Sequence, residues 1–85
     1  MEQFTYVITD PLGIHARPAG MIVKKASEFS CDITLKTPTA QADAKRVMAV
    51  MGLVAKQNTP VTVICEGEDE QLAAKEMGAF FQEKL

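Results

Sequence analysis

Apolar residues return along this chain at two different spacings, and the changes of spacing mark out its elements. Phe4-Thr5-Tyr6-Val7-Ile8 is aromatic and β-branched with partial alternation, which predicts a strand. Asp10-Pro11-Leu12-Gly13 then supplies turn residues. From about Ala16 to Ser27 the apolar positions Ala19, Ile22, Val23 and Ala26 recur at helical spacing, with Lys24 and Lys25 interspersed. Asp32-Ile33-Thr34-Leu35-Lys36 alternates with period two and reads as a second strand. Thr37-Pro38 turns the chain, and Ala40 to Ala44 is a weaker strand candidate. A short helix is expected near Val47 to Leu53, against the modest helix preference of Val47 and Val50. After the turn Gln57-Asn58-Thr59-Pro60, the run Val61-Thr62-Val63-Ile64-Cys65 is the clearest strand of all. Gly67-Glu68-Asp69-Glu70 opens a last helix, with acids where the helix dipole favours them. Leu72, Ala73, Met77, Phe80 and Phe81 are expected to line one face of it.

The predicted order, β-α-β-β-α-β-α, indicates a two-layer α+β domain: one mostly antiparallel sheet with helices packed on one face. Polar alternates at Thr34, Lys36 and Thr62 suit an open face towards water. At 85 residues, without repeats or linkers, the chain reads as one domain spanning residues 1–85.

Composition narrows the function more than the fold. A net charge of -2 gives no global reason to bind nucleic acid or an anionic membrane. Met1-Glu2-Gln3-Phe4 lacks a basic stretch followed by an apolar one, so no signal peptide is expected. No apolar run approaches the roughly 20 residues that span a bilayer, so membrane insertion is not expected and a cytoplasmic setting is. Cys31 and Cys65 stand far apart and form no C-x-x-C pair, which fits reduced, inert core thiols. Glu66, Glu68, Asp69 and Glu70 match no metal loop and read as acids at a helix start. No metal or cofactor is expected.

The chemistry concentrates in Gly13-Ile14-His15-Ala16-Arg17-Pro18-Ala19-Gly20, around the single histidine. Pro18 is tolerated in a first helical turn, where backbone N–H groups lack intrahelical partners, so the helix should start at about Ala16. His15 then sits close to the N-cap. The unpaired N–H groups at Ala16 and Arg17 and the positive end of the dipole form an anion cradle beside the imidazole. Arg17 adds a guanidinium fork that matches the oxygens of a phosphoryl group. A nucleophile, an anion cradle and a fixed cation suffice for transfer through a phosphohistidine. The same residues are also compatible with an ordinary surface His–Arg pair, and spacing alone does not separate the two.

This octapeptide closely resembles the active-site signature of the HPr family, the histidine-containing phosphocarriers of the bacterial phosphoenolpyruvate:sugar phosphotransferase system. The resemblance extends nearly end to end through Asp32-Ile33-Thr34-Leu35, Met48-Ala49-Val50-Met51-Gly52-Leu53 and Glu66-Gly67-Glu68-Asp69-Glu70. It implies an open-faced β-sandwich, with four antiparallel strands covered on one face by three helices. It implies that His15 is phosphorylated on Nδ1 and that Arg17 is the active-site arginine. The donor would be Enzyme I, charged from phosphoenolpyruvate, and the acceptors sugar-specific IIA domains. A carrier of this kind, expected as a monomer, cycles as a shuttle and is not an enzyme in its own right.

One position departs from the family pattern. Many members carry a regulatory serine just before the second helix, and Lys45-Arg46-Val47-Met48 places Arg46 there. Without a hydroxyl, regulation by phosphorylation at this position is impossible. Arginine is also a poor N-cap, which should cost about 0.5–2 kcal/mol of local stability unless Asp43 substitutes. Met21, Val47, Met48 and Met51 are compatible with core or docking. Methionine's adaptability and the family's partner-binding face favour docking, with Lys24, Lys45 and Arg46 as a basic rim. Ala19, Ile22 and Val23 are assigned to the core. Three functions stay open: a carrier in sugar uptake, a carrier in a regulatory or nitrogen-related branch, and an interaction module that moves no phosphate.

Overall fold

The stretches that alternate apolar and polar residues pair into one antiparallel sheet. The computed structural model describes residues 1–85 and contains strands β1 (Glu2–Val7), β2 (Asp32–Lys36), β3 (Gln41–Asp43) and β4 (Pro60–Glu66). Their spatial order is β1-β4-β2-β3, with every neighbouring pair antiparallel. The most apolar strand, β4, lies in the interior of the sheet, and the three-residue β3 forms an edge. Register puts Phe4 opposite Val63 and Leu35 opposite Val63 on the other side. Alternation then sends Val61, Val63, Cys65, Ile33 and Leu35 inward, all essentially without solvent contact. Outward, Thr5 Oγ1 and Thr62 Oγ1 pair at 2.9 Å across strands, beside half-buried Thr34 and exposed Lys36. The expected open polar face is present.

Three helices cover the other face: α1 (Ala16–Ala26), α2 (Val47–Met51) and α3 (Glu70–Lys84). The covered face of α1 presents Pro18, Ala19, Ile22 and Ala26 to the core, while Val23 is half-buried. Of α3, Ala73, Met77 and Phe81 are buried. Phe81 meets the rings of Phe4 and Tyr6 edge-on, at centroid distances of 6.0 and 5.9 Å, which docks α3 on β1. Lys25 Nζ reaches Glu76 Oε1 at 2.8 Å and ties α1 to α3.

Several expectations need correction. Leu72 is 52% exposed and leaves the buried face of α3, because that face follows the 73–77–81 row one residue further on. Phe80 is half-buried at its flank. Helix α2 stops at Met51: Gly52 N still donates to Met48 O, but Leu53 N and Val54 N turn to Val50 O and Met51 O, and Leu53 folds into the core. Asp43 does not cap α2: its Oδ1 accepts from Lys45 N at 2.9 Å, one turn too early.

Candidate functional site

The turn that delivers His15 is fastened at three places. Ile8 N donates to Thr59 O at 3.0 Å, and Thr9 N and Asp10 N both donate to Leu85 O, at 2.7 and 2.9 Å. Ile14 N donates to Ala55 O at 2.7 Å. Between these ties the chain adopts φ +66 at Gly13, where a Cβ would stand 2.2 Å from Ala55 O. Only glycine fits there, for conformational and steric reasons together. The segment before the histidine is therefore held rigidly against residues 55–59.

His15 is the N-cap residue of α1, with an extended backbone (φ -100, ψ -169). Its carbonyl accepts from Ala19 N at 2.9 Å, but its side chain makes no capping bond. The imidazole is half-buried and not committed to any protein partner. Buried Pro18 occupies the first turn and contributes no N–H. The N–H groups of Ala16 and Arg17 find no acceptor within the protein. They belong to the first turn of an eleven-residue helix, at its positive end, directly after His15 in the chain. Arg17 is exposed and takes part in no ion pair. A half-buried imidazole, two open N–H donors and an unpaired guanidinium thus share the head of α1, a setting whose chemistry suits an anionic group.

The remaining candidates fall on α1 and α2, which pack against each other. Met21 is half-buried and Lys24 exposed on α1. Val47 and Met51 are 40% and 39% exposed, and Met48 is 77% exposed. That last value excludes a core role for Met48; buried Val50, with half-buried Ala49 beside it, anchors α2 inward. Arg46 is the exposed N-cap residue of α2, and no side chain caps the helix. Lys45 departs from the expected rim. Its ammonium donates to Phe29 O at 2.7 Å and Cys31 O at 2.8 Å, so it fastens the loop after α1 instead of facing a partner.

Leu12 and Val54 are exposed apolar residues near the site that the sequence pattern did not single out. Leu12, 72% exposed, stands between Pro11 and Gly13, and an apolar residue amid turn formers was the available signal. Val54, 66% exposed, follows α2 with φ +51, which no sequence pattern announces for a β-branched residue.

The acidic stretch has a structural use. Asp69 Oδ2 and Oδ1 accept from Ser30 N and Cys31 N, both at 2.9 Å. Those backbone donors, with the Cys31 thiol, hold the Asp69 carboxyl down at about 2. Glu70 Oε1 folds back onto Gly67 N at 3.0 Å. Burial pushes the Cys31 thiol up to about 12, with the Asp69 carboxylate adding to the shift, and burial also raises Cys65. Both cysteines are buried as thiols, unsuited to nucleophilic work at neutral pH.

Known proteins agree with this architecture. The family described as PTS HPr component phosphorylation site matches residues 2–83. The phosphocarrier protein HPr of Lysinibacillus sphaericus is 43% identical over 82 residues, covering 96% of this chain and 91% of its own length. The HPr-like protein Crh of Bacillus subtilis (strain 168) is 38% identical over 73 residues, 86% of each chain. Among solved structures, HPr of Thermoanaerobacter tengcongensis superposes with a TM-score of 0.92 at 34% identity, over 99% of this chain and 94% of that one. Fold and site together define a small bacterial phosphocarrier of the phosphotransferase system, a carrier and not an enzyme. The chain belongs to the HPr family.

Proposed function

We propose that His15 accepts a phosphoryl group from phosphorylated Enzyme I and passes it to sugar-specific IIA domains in bacterial sugar uptake. The observation that carries this reading is the uncommitted imidazole at the head of α1, at the same helix start as two open N–H donors and unpaired Arg17. His15 supplies an electron pair, from Nδ1 by analogy with the family, and the new P–N bond forms as the donor's bond to phosphorus breaks. The donor keeps the electrons of that bond. Ala16 N–H, Arg17 N–H and the Arg17 guanidinium take up charge on the equatorial oxygens, where electrostatic placement does most of the work in phosphoryl transfer. The reverse sequence, with a IIA domain as acceptor, uses the same contacts.

Partners would dock on the face formed by Met21, Lys24, Val47, Met48 and Met51, with the chain acting as a monomer in the cytoplasm. Neither Lys24 nor Arg46 pairs with a carboxylate, so this face presents apolar residues among unpaired cations and suits an acidic partner surface. Arg46 removes the hydroxyl that a serine-directed kinase needs, so no control by phosphorylation enters at that position. An interaction module that moves no phosphate has no use for a nucleophile inside an anion cradle, which favours the carrier. A reconstituted relay tests the proposal: Enzyme I, phosphoenolpyruvate and a IIA domain, with and without this chain. Phosphoryl transfer to the IIA domain should depend on the chain. Equal labelling without it would refute the carrier role.

A further inference from the structure

The His15 ring makes no capping bond, so its place is set by the backbone on either side of it. After His15 the chain enters α1, a rigid element. Before it runs the loop Thr9 to Ile14, and a reacting group carried by a loop stands only as accurately as the loop is held. Much of this loop is braced on itself. Asp10 Oδ1 accepts from Leu12 N at 2.8 Å, and Asp10 O accepts from Gly13 N at 2.9 Å, so residues 10–13 form one hydrogen-bonded turn. A braced turn moves as a unit. Its far end is held where Ile14 N meets Ala55 O, and its near end must be held at Thr9.

Thr9 commits every polar group it has to two other parts of the fold. Its N–H donates to Leu85 O at 2.7 Å, and its hydroxyl donates to the same oxygen at 2.9 Å. Its carbonyl accepts from Gln57 Nε2 at 3.1 Å. Asp10 N reaches Leu85 O as well, at 2.9 Å, so three donors converge on one oxygen. Two donors already fill the lone pairs of a carbonyl-type oxygen. Thr9 and Gln57 are both exposed, and water would serve the threonine hydroxyl and the glutamine amide equally well. Neither side chain is needed to satisfy a buried group. What the two bonds add is placement: they fasten the root of the braced turn to the end of α3 and to the 55–59 segment at once.

We propose that Thr9 and Gln57 are positioning residues for His15, which fix the root of the turn and thereby where the imidazole stands relative to the open N–H groups of Ala16 and Arg17. Phosphoryl transfer needs the attacking nitrogen in line with the bond that breaks, and a misplacement of about 1 Å can cost on the order of a hundred-fold in rate. A looser root therefore shows in the rate before it shows in folding. Neither residue belongs to the proposed docking face, so recognition of the donor is unaffected. The inference rests on the phosphocarrier reading and adds to it the means by which the nucleophile is aimed.

Rapid-quench transfer from phosphorylated Enzyme I over a range of chain concentrations separates kcat from KM. Thr9→Val keeps the shape and removes the hydroxyl, and Gln57→Ala removes the amide. Each should lower kcat about three-fold or more and leave KM within about two-fold of wild type. Thr9→Ser returns the hydroxyl and should recover most of the rate. Thr5→Val is the control: it removes a threonine hydroxyl bond of the same kind, Thr5 Oγ1 to Thr62 Oγ1 at 2.9 Å, on the open face of the sheet, and should transfer at the wild-type rate. A wild-type kcat in Thr9→Val overturns the proposal, and one in Gln57→Ala alone removes Gln57 from it. A Thr9→Ser chain as slow as Thr9→Val overturns it too, as does a Thr5→Val chain slowed to the same extent, which would reduce the effect to stability. Failure of Enzyme I to label the wild type at all would instead refute the phosphocarrier reading.

Discussion

At the scale of single residues, the site depends on what His15 and Arg17 leave unused. The His15 side chain does not cap its helix, although it occupies the N-cap position, and Arg17 answers no carboxylate. Residues recruited for stability usually satisfy themselves within the fold; these two make no such side-chain contact, as the proposed carrier role requires. Arg17→Ala should therefore slow phosphotransfer in both directions, measured by rapid quench, while changing stability by no more than about 0.5 kcal/mol, as exposed substitutions usually do. Arg17→Lys should recover only part of the rate, since a lysine offers charge without the bidentate fork. Wild-type rates in Arg17→Ala would remove the guanidinium from the mechanism. Lys45 illustrates the opposite economy. Its sequence neighbours suggested a rim cation, but two carbonyls at 2.7 and 2.8 Å claim its ammonium, a long-range contact that no local pattern encodes.

At the scale of elements, helix α2 is the part of the fold most plainly shaped by something other than stability. It has five residues, an arginine at its N-cap, no capping side chain, and an outward face of Val47, Met48 and Met51. Met48→Ala should leave Tm close to wild type, because the side chain is 77% exposed, yet speed dissociation from Enzyme I by on the order of 1 kcal/mol in surface-binding measurements. Unchanged dissociation would place the docking face elsewhere. Arg46→Ser supplies the missing cap and should raise stability by about 0.5–2 kcal/mol, read from the urea midpoint at constant m. With ATP and a bacterial HPr kinase, the serine variant should become labelled and the wild type should not; label on the wild type would contradict the reading of Arg46. The long elements were legible because their periodicity decides them. Residues 32–36 alternate strictly, 61–65 is continuously apolar or β-branched, and α1 keeps one face over its whole length. The short elements left a weaker signal: β3, expected between Ala40 and Ala44, is three residues fixed by pairing with β2, and α2, expected near Val47 to Leu53, ends two residues sooner. Leu72 was misplaced for a related reason: apolar residues adjoin on both sides of the true stripe of α3. The head of α1 could be read because Pro18 locates it; the left-handed backbone at Val54 could not, because valine argues against it.

At the scale of the whole molecule, the active end and the far end are secured by different means. Around His15 the ties are backbone hydrogen bonds to residues 55, 59 and 85. At the other end of α1, the Asp69 carboxylate joins the start of α3 to the loop at Ser30 and Cys31. Its carboxyl titrates at about 2, below its ordinary 3.8. A depressed folded value means that the ionised form is favoured by folding, so its contribution is present above about 3.8 and is lost as pH falls towards about 2. Asp69→Asn should lower the urea midpoint at pH 7 and flatten its decline across that acid window; an unchanged decline would show that other carboxylates set the acid sensitivity. No helix in this frame is long and apolar enough to cross a membrane. The carrier role requires that phosphate reach the end that holds His15. Incubation with Enzyme I and phosphoenolpyruvate, read by intact mass, should add one acid-labile phosphoryl group to the wild type and none to His15→Ala, whose circular dichroism and melting should remain native. A natively folded His15→Ala chain that gains the same mass would contradict it.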